Sequence, residues 1–153
     1  METAAEICAE IGATFWLESG LSEHRNADWF DGEPETLSHE QLASRFDSVR
    51  LEHDSLVTPV FPETHPEAEA RVGETTRRIV DTETGTVLLV GHGLTIGGVV
   101  RGLVGSTDGV NAPLCGVTRL HRDEDDWHLD FSGDTTHLDA ADDSADENGT
   151  GGA

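Results

Sequence analysis

The chain has 153 residues, the length of one ordinary domain, and no apolar run in it approaches the ~20 residues of a membrane span. It carries 31 acids against 9 bases, for a formal net charge of −22, and every base is an arginine. That sign excludes nucleic acid as a partner, because nucleic-acid affinity comes mainly from neutralising phosphates. The absence of lysine also excludes a P-loop.

The N-terminal Met-Glu-Thr-Ala-Ala-Glu has no basic stretch and is no signal peptide, so the protein is expected in the cytoplasm. Thr3 to Ile11 reads as a helix with Ile7, Cys8 and Ile11 on one side, stopped by Gly12. Thr14 to Leu17 has the length of a short strand. Glu18 to Glu63 is irregular and polar, with one helix expected where Ser38-x-x-Gln41 forms a capping box ahead of Leu42 and Phe46. A second box, Thr64-x-x-Glu67 with Pro66 in the first turn, opens a longer helix with Ala68, Val72, Ile79 and Val80 on its apolar side.

Gly85 leads into Val87-Leu88-Leu89-Val90, an apolar run that suits a central parallel strand covered on both faces. Gly91-His92-Gly93 follows, and a helix starts at once. Ile96, Val99, Val100, Leu103 and Val104 give that helix a wide apolar face, and Gly105 ends it. Cys115 to Leu120 and Trp127 to Phe131 alternate as strands do, and the acidic turn 123–126 makes them a hairpin. From about Asp139 no large apolar residue occurs, so residues 1–138 form the expected domain and 139–153 an acidic disordered tail. The order of elements predicts an α/β fold with a mixed sheet. Cys8 and Cys115 each lie on an apolar stretch and read as structural thiols.

The tail holds only five of the 31 acids, so the charge excess is global. Like charge at this density pushes a compact state apart in dilute salt. In ~1 M salt the screening length falls to ~3 Å and the repulsion largely disappears. A salt-rich cytoplasm, such as that of a halophilic archaeon, is the expected setting.

The chemistry concentrates at Gly91-His92-Gly93. Ligands of open α/β sheets bind at the carboxyl ends of strands, and the N-terminus of a helix offers free N–H groups and a favourable dipole to an anion. A histidine there adds a charge-assisted hydrogen bond to phosphate, and the glycines let the backbone come close. The same glycines, with Gly97, also suit a dinucleotide-binding turn, although no βαβ unit with a ribose-binding acid follows. No Gly-x-Ser-x-Gly occurs, which argues against an α/β-hydrolase. The eight histidines show no zinc-type spacing on one helix.

Leu88 to Ile96 resembles the second histidine segment of the histidine-phosphatase (phosphoglycerate-mutase-like) superfamily, and further matches follow in the family's order. Glu2-Thr3-Ala4 is similar to its Gln-Thr-Ala helix, and Gly20-Leu21-Ser22-Glu23 to the segment bearing its acidic residue. Glu63-Thr64 with Arg71-Val72 resembles its Gly-Glu-Ser helix start, and Asp134 to Leu138 its closing stretch. The resemblance implies a three-layer α/β/α fold and hydrolysis of a phosphorylated small molecule through a phosphohistidine, without metal or cofactor. It makes His92 a phosphate-binding, charge-stabilising group and Glu23 the general acid. Gly91, Gly93, Leu94, Arg25 and Asn26 would contact phosphate or substrate, and His137 would support the site from behind.

The family's nucleophilic histidine sits in Arg-His-Gly, which occurs nowhere in this chain. The first strand and helix, the nucleophile and two arginines are therefore expected to lie upstream of Met1. A catalytically inactive short form with a phosphate-binding or regulatory role is the alternative. Selectivity in the family lies largely between the acidic segment and the Gly-Glu-Ser helix, here about Asn26 to Pro62. Trp29 and Phe30 fall in that stretch, with packing the expected use of both and an aromatic edge of the pocket the alternative.

Overall fold

Local signals set the helix ends in the computed structural model, which describes residues 1–139. The acidic tail expected from Asp139 onward falls, apart from Asp139 itself, outside these described residues. Helix α1 (Glu2–Ile11) stops at Gly12, whose φ of 66° is the left-handed conformation that glycine adopts most readily. Helix α2 (His39–Ala43) carries the predicted capping box: Gln41 N–H donates to Ser38 Oγ at 3.2 Å, and Ser38 N–H donates to Gln41 Oε1 at 2.8 Å. Helix α3 (His65–Thr82) starts with Pro66 in its first turn, and Glu67 reaches back to accept from the Thr64 N–H at 2.7 Å. Helix α4 (Gly93–Val104) ends at Gly105, as its sequence predicts.

Among the described residues the strands form two separate sheets rather than one mixed sheet. Strand β1 (Phe15–Trp16) pairs in parallel with β2 (Val49–Arg50), Phe15 opposite Val49. Strands β3 (Val117–Asp123) and β4 (Asp126–Asp134) form the predicted antiparallel hairpin, with Asp123 opposite Asp126 at its turn. The hairpin starts two residues later than its alternation suggested, because Cys115 takes a left-handed φ of 57°.

The expected strand at Val87–Val90 is a correction. The segment belongs to no strand among the described residues, and Val87, Leu88 and Val90 are 37%, 62% and 39% exposed. The apolar run satisfies the residue pattern of a buried strand, but a strand also needs a neighbour to take its N–H and C=O groups. None of the described strands lies alongside it.

The core is the contact of α3 with α4, where Ala68, Val72 and Val100 are fully buried. Thr75 and Thr76 are fully buried too. Their hydroxyls donate to the Arg71 and Val72 carbonyls at 2.8 Å each, so only their methyl groups face the core. Ile79 and Val80, expected on this face, are only half-buried. The crossing point explains the difference: Gly73 packs backbone to backbone on Gly102, so α4 covers the middle of α3 rather than its last turns. No helix among the described residues is long and apolar enough to cross a membrane.

Candidate active site

His92 caps α4 from its N-terminal side, and the cap is tied to a distant turn. The His92 N–H donates to Thr95 Oγ1 at 3.1 Å, and the Thr95 hydroxyl donates to the Leu21 carbonyl at 3.0 Å. Gly91 makes room for this: a Cβ there would lie 2.7 Å from the Thr95 side chain. The stitch brings the segment after the Ser19–Leu21 turn against α4, and His92 Nδ1 comes to 3.3 Å from Glu23 Oε2. Glu23 is oriented by its own backbone, its Oε1 accepting from the His24 N–H at 2.8 Å.

The two side chains are 61% and 41% exposed, so as a solvated pair they stabilise the fold by at most ~1 kcal/mol. The arrangement matters for chemistry. A base-capable ring and a carboxyl group stand side by side where the Gly93 and Leu94 N–H groups have no intrahelical acceptor. An anion placed there meets those donors, the helix dipole and the imidazole together.

Behind Glu23 lies a buried ionic cluster that sequence reading did not assemble. Arg71 and Glu63 form a two-point fork, Nε to Oε2 at 2.9 Å and Nη2 to Oε1 at 2.6 Å, with both side chains 6% exposed. Arg71 Nη1 also donates to the Gly20 and Ser22 carbonyls at 2.8 and 3.2 Å, so it fixes the turn that carries Glu23. Glu63 feels two opposed effects. Burial pushes its carboxyl up, while the Arg71 guanidinium and the Arg25 N–H together outweigh that and hold it below the usual value. His24, 7% exposed, completes the cluster with Nε2 donating to the Glu63 carbonyl at 2.9 Å. The spacing of Glu63 and Arg71, eight residues apart across a helix start, was the available signal.

The remaining expected site residues divide. Gly93 and Leu94 line a cleft of about 330 Å³ together with Glu23, His24, Trp29 and Glu69. Arg25 does not join it: its guanidinium donates to Glu33 at 2.6 Å and its N–H to Glu63. Asn26 lines a neighbouring cleft of about 420 Å³, with its Oδ1 engaged by the Asp28 N–H at 2.8 Å. His137 is exposed, and among the described residues no hydrogen bond ties it to His92 or Glu23. Trp29 is 61% exposed and walls the cleft, the alternative to packing that its position offered.

The family model of the histidine phosphatase superfamily (branch 1) matches the chain over residues 1–135. Among curated proteins none matches the chain in sequence.

Proposed function

The chain belongs to the histidine phosphatase superfamily, and from that premise we propose that it is the larger part of a phosphomonoester hydrolase that works through a phosphohistidine. The observation that carries this reading is His92 beside Glu23, 3.3 Å apart, at the N-terminus of α4. His92 binds the phosphoryl oxygens and stabilises the charge that develops on them, with the Gly93 and Leu94 N–H groups beside it. Glu23 protonates the leaving alkoxide as the P–O bond breaks and the phosphorus–nitrogen bond to the nucleophile forms. Water then attacks phosphorus, gives a proton back to Glu23, and releases inorganic phosphate and the free histidine.

The nucleophile is proposed to come from an Arg-His-Gly segment encoded ahead of Met1. Two features support this: Arg-His-Gly is absent from the 153 residues, and Val87–Val90 is an apolar segment directly before His92 that pairs with no strand among the described residues. An incoming strand would pair there and deliver its histidine to the same end.

The first prediction follows. Inorganic phosphate will shift the Gly93 and Leu94 amide resonances of the chain, and His92→Ala will weaken that binding about tenfold, the loss of one charge-assisted hydrogen bond. Hydrolysis of simple phosphomonoesters by the chain alone will be slow, and joining the in-frame upstream segment will raise it by at least about 10³-fold. Full turnover without that segment, or phosphate binding indifferent to His92, overturns the proposal. A stop codon directly upstream of Met1 would favour a phosphate-binding or regulatory role instead.

We further place the protein in the salt-rich cytoplasm that its charge suits. Raising KCl from about 0.1 M to about 2 M should lift Tm by about 10 °C, because screening removes several kcal/mol of self-repulsion. A Tm that stays level or falls would remove the case for a saline setting.

A further inference from the structure

We infer that the cleft beside His92 is built for a leaving group bearing a primary ammonium, so that the preferred substrate is the phosphate monoester of an amino alcohol. This rests on the phosphoryl site proposed above, since the cleft shares Glu23, Gly93 and Leu94 with it. A phosphoryl group held at the start of α4 therefore directs its alcohol portion into the cleft.

Two acceptors wait there without protein partners among the described residues. The first is on His24, which is more than nine-tenths buried. Its Nε2 lies 2.9 Å from the Glu63 carbonyl oxygen, and a carbonyl only accepts, so Nε2 carries the proton. In the neutral ring Nδ1 is then a lone pair. No protein donor reaches it among the described residues, yet no buried side-chain atom is left unsatisfied, so Nδ1 keeps access to solvent on a residue that lines both this cleft and its neighbour. The second acceptor is on Glu69. Its Oε2 takes Arg101 Nε at 3.0 Å, while Oε1 lies against Gly97, another residue of the lining. Glu69 is only 15% exposed and held by Arg101, so it presents a fixed carboxylate.

Both acceptors ask for a donor, and the Glu69 carboxylate asks for positive charge; no arginine lines the cleft, which His65 also borders. An ester bearing a carboxylate or a second phosphate would meet like charge. Trp29 and His65 complete the lining. The Trp29 ring meets His24 edge to face at 5.6 Å and is otherwise exposed, so its π surface is open to a cation. A neutral polyol would satisfy the acceptors by hydrogen bonds alone. An ammonium satisfies them and also gains from Glu69 and Trp29. The acidity of the surface at large does not explain the site, because Trp29 and the buried His24 line this cleft together with Gly93 and Leu94.

The test is an NMR titration of the full 153-residue chain with O-phosphoethanolamine, glycerol 3-phosphate and inorganic phosphate in turn. All three should shift the Gly93 and Leu94 amides. Phosphoethanolamine alone should shift the Trp29 indole N–H, with a Kd at least about tenfold below that of glycerol 3-phosphate, the combined worth of one cation–π contact and one charged hydrogen bond. Trp29→Ala and Glu69→Gln, made separately, should each reduce that preference. Equal affinity for the two esters, an unmoved Trp29 indole, or a preference that survives both substitutions overturns the inference. Phosphoethanolamine shifting Trp29 while inorganic phosphate leaves Gly93 and Leu94 unmoved would instead sink the phosphoryl site and leave the cleft standing.

Discussion

Replacing Arg71 with methionine should lower the unfolding free energy by about 3–5 kcal/mol, read from the denaturant midpoint at fixed high salt. The value follows from what would remain. Glu63 would keep its burial but lose both arms of the fork that compensates it, and the Gly20 and Ser22 carbonyls would lose their donor. An unpaired buried carboxylate is costly, whereas the intact pair contributes little net stability over an apolar replacement of both partners.

The pH dependence gives an independent check. In the native chain Glu63 is held below its ordinary value of 4.5. A depressed carboxyl contributes stability above its unfolded pKa and loses it as pH falls through the folded one. The native chain should therefore weaken below about pH 4.5. In Arg71→Met burial is opposed only by the Arg25 N–H and His24, so Glu63 rises from its native position and the deficit of the variant should narrow as the solution is acidified. A loss under about 1 kcal/mol, or a deficit that does not change with pH, would show that the pair is not the anchor of the Glu23 turn.

Features with local causes were legible in the sequence. The Ser38–Gln41 box, Pro66 at the start of α3, and Gly12 and Gly105 as terminators all act within one turn of chain, and the structure has each of them. The hairpin was legible because its partners are neighbours in sequence. The segment Val87–Val90 failed for the opposite reason: strand formation is a property of pairs, and composition reports one member only.

The site shows the same division. His92 and Glu23 were singled out through motif and resemblance, and the structure brings their side chains to 3.3 Å. Arg25 was read as a ligand because it stands beside Glu23, while its partner in the structure, Glu33, eight residues on, cannot be told apart among 31 acids. His24 and Glu69 were invisible because their roles come from one nitrogen and one oxygen left open by contacts many residues away.

Gly102→Ala should cost about 2–3 kcal/mol, although alanine is the better helix former. On an exposed helix the same change would stabilise by about 1 kcal/mol, so the sign itself tests the packing. A Cβ on Gly102 would lie 2.5 Å from Gly73 Cα and 3.0 Å from its carbonyl oxygen, and these are backbone atoms that cannot rotate away. Relief requires α3 and α4 to separate, which opens the contact of Val72 and Val100 where both are fully buried. Gly98→Ala meets the Val72 side chain at 2.6 Å and should be destabilising for the same reason.

The effect should reach the site, because α4 carries His92 while α3 carries Arg71, which holds the Glu23 turn. Helices pushed apart pull His92 away from Glu23 and stretch the Thr95–Leu21 hydrogen bond that joins them. A Gly102→Ala chain that still folds should therefore bind inorganic phosphate more weakly at Gly93 and Leu94, with no substitution near either. If it proves more stable than the native chain, or binds phosphate equally well, the two helices are not in backbone contact and the geometry of the His92–Glu23 pair has another origin.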